Sequence, residues 1–349
     1  MADGGDGGAM PEAAEDLMQM NEGQQASMGD DASFLNEREV MRRTGKERIN
    51  DFLRSHCCYD LLKHSGKVVV FDSSIPVQLA FYALVEHDMQ AAPLWDSRER
   101  RFVGLMTVTD FIDILRHYRG KGTAVEQLAS KSIADVLTEP EGERLAQPQF
   151  VQVDAEVSLL YAASLFQNRR VKFLPIMAPG GATVLALISH VEILEFLVTT
   201  FREQRRLFDD PISELRIGIF SDNVVTVHEH TCLSEVLDLL ERNGIGAVPI
   251  VDADERVVGI YSRSDITFLA TAADPEGVLQ NMNCKLSDIL RQPGNEGLRD
   301  RLITCSTNET LQTVFEKFAE CRFKRIVCVD QESRCKGIIS VSDLLAYFL

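Results

Sequence analysis

At 349 residues, 45% of them apolar and 26% charged, the chain has the composition of a globular protein long enough for two domains or one larger pseudo-symmetric body. Its net charge of −17 argues against a general nucleic-acid surface, because binding phosphate backbones needs a positive field, although such a field could exist locally.

The acidity is uneven. Residues 1–40 carry Asp3, Asp6, Glu12, Glu15, Asp16, Glu22, Asp30, Asp31, Glu37 and Glu39 against a single Arg38. With few large apolar side chains, this stretch cannot offset its ordering entropy, so residues 1–45 read as a disordered acidic tail. The tail lacks the charged-then-apolar layout of a signal peptide. Eight cysteines (57, 58, 232, 284, 305, 321, 328 and 335) form no C-x-x-C pair and no zinc spacing with histidine. A reducing compartment, cytoplasm or nucleus, is the expectation. The most apolar run, "VLALISHVEILEFLVTTF", is interrupted by His190, Glu192 and Glu195. It is too short and too charged to span a bilayer, and reads as a strand leading into an amphipathic helix.

From residue 67 onward one pattern occurs four times. It opens on a short strand: "KVVVFD", "QFVQVD", "NVVTVH" or "LITCS". A helix of period 3.6 follows, with Leu233, Val236, Leu237 and Leu240 on one face in the third copy and Leu311, Val314, Phe315 and Phe318 in the fourth. Two apolar strands come next, then a hydroxyl residue, two positions, an acid and a second helix. The acids are Asp110, Glu192, Asp265 and Asp343. The unit is β-α-β-β-α, an α/β (α+β) architecture, with repeats over 52–120, 133–201, 212–272 and 286–349. One unit is too small to close a good core, so copies one and two should form one pair and copies three and four another. Residues 202–216 would link the pairs, and the charged stretch 116–148 would fill a loop-rich join inside the first.

A β-α-β-β-α unit ending in G-apolar-apolar-(S/T)-x-x-D resembles the cystathionine-β-synthase (CBS) domain. Four copies in one chain, with "HCCYDLL" and "AAPLWDS" in the first, resemble the γ regulatory subunits of AMP-activated protein kinase. The resemblance runs from about Phe52 to the end. It implies four CBS repeats packed as two pairs in a pseudo-symmetric disc. It also implies a non-catalytic regulator with no cofactor, which binds AMP, ADP or ATP competitively as regulatory ligands near the centre. Its partners would be a kinase catalytic α subunit and a scaffolding β subunit in a heterotrimer, with no nucleic acid and no membrane involved.

Binding such a nucleotide without hydrolysis needs a carboxylate for the ribose, apolar walls for the base, and cations and hydroxyls for the phosphates. Asp110, Asp265 and Asp343 match the ribose position. Their hydroxyl partners are Thr107, Ser262 and Ser340, with Thr109, Ser264 and Ser342 one residue before each acid. Taken alone, S-x-x-D is a helix-capping box, worth roughly 0.5–2 kcal/mol. Glu192 reads as such a cap, leaving the second site empty. On the phosphate side, cations expected before the strand proline are replaced by Gln90, Phe173 and Gly244, with Gly246 in place of a serine, and Val191 stands where a lysine is expected before the second acid. Lys172, Lys324 and Arg325 remain, giving a centre of three cations. Trp95 reads as a packing residue.

No glycine-rich phosphate loop, H-E-x-x-H motif or nucleophile elbow supports an enzyme, and four repeats leave no length for a catalytic domain. The rival reading is a γ-like scaffold that kept its partner surface but lost most nucleotide sensing.

Overall fold

The computed structural model describes residues 37–62, 68–120, 130–139, 150–201, 208–221, 224–263, 265, 283–291, 302–321 and 324–349. Helix α1 spans 37–55, and a single 3₁₀ turn follows at Cys58–Leu61. Repeat 1 is β1 (Phe71–Asp72), α2 (Val77–Glu86), β2 (Ala91–Asp96), β3 (Arg101–Thr107) and α3 (Val108–Gly120), followed by the short α4 (Ile133–Thr138). Repeat 2 is β4 (Val153–Asp154), α5 (Leu159–Asn168), β5 (Leu174–Met177), β6 (Val184–Ile188) and α6 (His190–Thr200). The linker holds α7 (Ile212–Leu215) and β7 (Ile219–Phe220). Repeat 3 contributes β8 (Val227–His228), α8 (Leu233–Arg242), β9 (Ala247–Val251) and β10 (Val257–Ser262), then α9 (Leu286–Arg291). The helix expected directly after Asp265 falls outside the described residues. Repeat 4 is β11 (Thr304–Ser306), α10 (Leu311–Cys321), β12 (Arg325–Val329), β13 (Cys335–Ser340) and α11 (Val341–Phe348).

In every repeat the opening strand runs parallel to the second, and the second pairs antiparallel with the third. The long link from first to second strand is the helix that a parallel crossover requires. In repeat 4 the linker strand β7 adds a fourth strand against β13. Between Glu86 and β2 the chain must turn out of a helix. Asp88, Arg170 and Gly244 do this in repeats 1, 2 and 3, each with a positive φ. The Ile245 amide reaches back to Leu240 at 2.9 Å, which satisfies an orphan helix carbonyl. Gly244 therefore also serves as a helix stop.

The pairs are sewn together by exchange of short segments. The 3₁₀ turn before repeat 1 docks on repeat 2, through Cys58 N–H to Val157 O at 2.8 Å and a Cys57–Ser158 bridge. The α4 segment before repeat 2 returns to repeat 1, with Ile133 N–H to Ile75 O at 3.0 Å and Pro76 bridged to Ser132. Repeats 3 and 4 exchange α7 and α9 in the same way, through the Pro211–Thr310 and Cys232–Lys285 bridges. Contiguous repeat boundaries therefore cut across the packing units, because each connecting segment covers the other member of its pair. In the first join, the stretch read as loop-rich contains the capped helix α4, whose Ile133 and Val136 are buried.

Sheets meet within a pair, and helices meet between pairs. Ala247, Val251, Val257 and Ile260 of repeat 3 pack on Val327 of repeat 4, and the Phe102 and Phe150 rings of repeats 1 and 2 stack at 5.2 Å. The helix faces find partners elsewhere than expected. Leu84, Phe111 and Ile114 of repeat 1 share a core with Val236, Leu237 and Leu240 of repeat 3. Repeat 2 (Leu194, Leu197) shares another with repeat 4 (Val314, Leu344, Phe348). The amphipathic faces read from the sequence are all buried, but they close against the opposite pair.

Residues 37–45, assigned above to the tail, belong to α1. Arg42 pairs with Asp210 at 2.7 Å and with Glu214 at 3.0 Å. Ile49 and Leu53 are fully buried in the core of repeats 2 and 4. One apolar stripe and two linker carboxylates suffice to hold the helix, although its composition is polar. Among the described residues, no helix is long and apolar enough to cross a membrane.

Candidate functional site

Each acid that follows the third strand closes a hydrogen-bonded turn, at the start of a helix in repeats 1, 2 and 4. Oδ2 of Asp110 accepts from the Thr107 amide at 2.6 Å and the Thr107 hydroxyl at 2.8 Å. Oδ2 of Asp343 accepts from the Ser340 amide at 2.8 Å and its hydroxyl at 2.6 Å. Oδ2 of Asp265, itself buried, accepts from the Ser262 amide at 2.8 Å. Oε2 of Glu192 does the same with Ser189, at 2.7 Å and 2.5 Å. Thus Asp110, Glu192 and Asp343 cap their helices, and each engages only one carboxylate oxygen within the described residues. Capping leaves the other oxygen available, so a cap and a ligand contact are not alternatives.

The strand ladders show which positions are equivalent. Ala91 pairs with Thr107, Ala247 with Ser262, and Arg325 with Ser340. One residue before these lie Gln90, Gly246 and Lys324, and the same count in repeat 2 gives Lys172. These four positions all line a central cavity of about 200 Å³, where the four repeats meet. The hydroxyl side is represented by Thr107, Thr109, Ser340 and Ser342. Lys172, Lys324 and Arg325, expected together from the sequence, are brought together here. Ser262 and the three aspartates do not line this cavity, and Asp110 and Asp343 are represented at its wall by their hydroxyl neighbours.

A fourth cation went unread. Arg263 lines the cavity and lies 3.8 Å from Asp113. The position after the hydroxyl is Val108, His190, Arg263 and Val341 in the four repeats, and all four residues face the cavity. Reading that column alone, as was done for the column before the strand, would have found Arg263. The centre therefore holds Lys172, Arg263, Lys324 and Arg325. His190 adds no charge at neutral pH, since burial lowers its pKa to about 4. The Gly246 substitution also has a local reason. A Cβ there would meet the Arg325 guanidinium at 2.6 Å, so the glycine gives that side chain its seat.

Crowding cations in a half-buried cavity costs free energy, which lowers the pKa of its lysines. Burial, then the neighbouring Arg325, lowers Lys324 to about 8, while Glu192 and Asp265 oppose the shift. Burial also lowers Lys172, against the attraction of Asp110. Burial raises Asp110 to about 6, although the Thr107 hydrogen bonds pull the other way. Lys324 also donates to the Gln90 amide oxygen, so the glutamine replacing an expected cation serves as a partner for a remaining one. Phe173 and Val191 line the same cavity and supply apolar wall. An arrangement of four cations with hydroxyls between them suits a polyanion of phosphate character.

The family model of the CBS domain matches residues 213–270 and 297–349. The γ subunit of 5′-AMP-activated protein kinase from Dictyostelium discoideum is 35% identical over 320 residues, covering 90% of this chain and 55% of that protein. The human γ-3 subunit is 30% identical over 310 residues, covering 88% of this chain and 62% of that protein. The chain thus spans little more than half the length of these relatives. In fold, a crystal structure from Methanocaldococcus jannaschii, described as an archaeal homologue of the γ subunit, superposes with a TM-score of 0.66. It covers 84% of this chain and all of the other, at 17% identity.

Proposed function

Because the CBS-domain model matches two stretches of the chain and the chain is similar to γ subunits of AMP-activated protein kinase over nine-tenths of its length, we propose that it is a CBS-domain protein and a nucleotide-binding regulatory subunit of such a kinase. It has no catalytic role of its own. It binds AMP, ADP or ATP with ribose hydroxyls at Asp110, Asp265 and Asp343 and phosphates at the central cations. Bound nucleotide is communicated to a kinase α subunit held with a β subunit in a heterotrimer, in the cytoplasm or nucleus.

One observation carries this reading: Lys172, Arg263, Lys324 and Arg325, drawn from three repeats, converge on one cavity lined by Thr107, Thr109, Ser340 and Ser342. Uncompensated, that cluster only destabilises the fold. A phosphate chain turns mutual repulsion into charge-assisted hydrogen bonds worth roughly 1.5–3 kcal/mol each. Gln90 and Phe173 favour the scaffold reading, since each occupies a cavity position where the γ-subunit resemblance calls for a cation.

Titrating the full chain with a fluorescent ADP analogue, in competition with AMP and ATP, separates the two. Saturable, competed binding supports the sensor, and no binding up to millimolar concentrations leaves the scaffold. Asp343→Ala should weaken binding at least tenfold. Affinity capture from the source cell should recover a kinase catalytic chain, and a capture without one would refute the assembly.

A further inference from the structure

The first pair of repeats carries an open groove of about 890 Å³ that shares no lining residue with the central cavity. Its floor is aromatic. Trp95 and Phe102 of repeat 1 meet edge to face at 5.0 Å, and Phe102 stacks on Phe150 of repeat 2. Tyr161 and Leu165, one turn apart on α5, continue the surface, and Tyr161 is 54% exposed. Arg100, Arg101 and Arg169 complete the edge, and no carboxylate lines the groove.

That lining is out of keeping with a chain of net charge −17. Arg101 keeps Glu99 as a partner, through Nε at 2.5 Å, whereas Arg100 and Arg169 make no ion pair among the described residues. Exposed arginines alone are ordinary solvated surface. Here they ring an aromatic floor that gains free energy by being covered, and they select a cover that carries carboxylates.

The chain itself contains such a segment. Residues 1–36 hold eight acids and no Lys or Arg. Within them "PEAAEDLMQM" sets Glu12, Glu15 and Asp16 directly before Leu17, Met18 and Met20. Three carboxylates match three guanidinium groups, and methionine sulfur packs favourably against ring edges. Reach is sufficient. Residues 21–36 extend to as much as about 53 Å. The path from the start of α1 runs along its 37–55 span, about 28 Å. It then crosses the Cys57–Ser158 bridge to Tyr161 in the first turn of α5, about 15 Å more.

We propose that this groove is a docking site for an acidic-apolar peptide, and that its occupant is residues 12–20 of the same chain. Glu12, Glu15 and Asp16 meet the three arginines, and Leu17, Met18 and Met20 cover the aromatic floor. Docking ties repeat 1 to repeat 2, since Arg100 and Arg101 belong to one and Arg169 to the other. Ion pairs this exposed are individually weak and screened by salt. Tethering makes them sufficient, because a linked segment is present at an effective concentration of roughly millimolar.

The full chain carrying p-benzoylphenylalanine at position 17, in place of Leu17, is irradiated and its cross-links are mapped by mass spectrometry. Cross-links within one chain to Trp95, Phe102, Phe150 or Tyr161 are expected. Arg100→Glu with Arg169→Glu should cut their yield roughly fivefold, as should 1 M salt, where the screening length is about 3 Å. Arg98→Glu with Arg170→Glu changes the net charge equally outside the groove and should leave the yield unchanged. Adding Glu15→Arg and Asp16→Arg to the Arg100→Glu, Arg169→Glu chain should restore it. Cross-links between two chains instead of within one, or a yield indifferent to the groove arginines, overturn the proposal. No cross-link into the groove leaves it for an acidic partner chain and overturns the proposal equally.

Discussion

Raising the pH from 7 to 9 should weaken AMP binding to the full chain about tenfold, and Lys324 is the cause. Burial in the central cavity, then Arg325, brings its pKa to about 8, against about 10.4 for a free lysine. In the unliganded chain about nine-tenths of Lys324 is protonated at pH 7 and about one-tenth at pH 9. The AMP phosphate is already dianionic across this range, its second pKa being about 6. Affinity therefore follows the protonated fraction of the lysine, which changes about tenfold, or about 1.4 kcal/mol. Stability should run the opposite way. The folded chain binds fewer protons than the unfolded chain between about pH 8 and 10.5, so stability rises with pH through that window. Well below pH 8 the full penalty is present, roughly 3 kcal/mol before screening by cavity water, and a bound phosphate relieves it. Fluorescence titration at half-unit pH steps measures the effect, with Lys324→Arg as the control that stays charged. The arginine variant should give a flat profile between pH 7 and 9. A wild-type profile equally flat would show that Lys324 does not meet the phosphate.

On the acid side, Asp110 titrates near 6 through burial. Its ionised fraction falls to about one-tenth at pH 5, which should cost the repeat 1 site about tenfold in affinity beyond the loss from protonating the AMP phosphate, whose second pKa is about 6; Asp110→Asn should remove that extra loss and leave the phosphate's own. Arg263→Ala removes a cation from the central cavity and should cost about 10- to 150-fold in ADP affinity by calorimetry, the equivalent of roughly 1.5–3 kcal/mol. Leu344→Ala, at a fully buried position in the core of repeats 2 and 4, should lower unfolding free energy by about 2–5 kcal/mol in urea. A loss under 1 kcal/mol would argue against a shared core. Arg42→Ala should release α1 from Asp210 and Glu214, read as faster proteolysis between residues 37 and 55 with little change in the melting of the rest.

Much of the site was legible because its chemistry sits at fixed local offsets. The hydroxyl, two positions and an acid make a capping turn wherever they occur, and its geometry is the same around Thr107–Asp110, Ser189–Glu192 and Ser340–Asp343. Lys172, Lys324 and Arg325 were read from the γ-subunit resemblance, which implies cations at the approach to the second strand of each repeat. Arg263 was missed because attention rested on one column, although its neighbour Ser262 was in view. That Gly244 stops a helix in the left-handed conformation was not legible, because its φ is set by how the chain turns into β9. A side cavity that Glu192 lines was not legible at all. Its walls come from Leu61, Leu62, Val68 and Val69, from Met89 and from residues 185–189, and only the fold brings them together.

Sequence by itself determined the four repeats, their β-α-β-β-α order, the buried stripe of each helix and the caps, since these depend on interactions within a few residues. Tertiary structure decided which copy meets which. The four units present nearly the same apolar faces, so periodicity could not say that repeat 1 closes its core on repeat 3 and repeat 2 on repeat 4. Nor could it say that α4 and α7 would cross to the other member of their pair. That choice rests on shape and long-range packing, and it is what draws cations from three repeats to a single point.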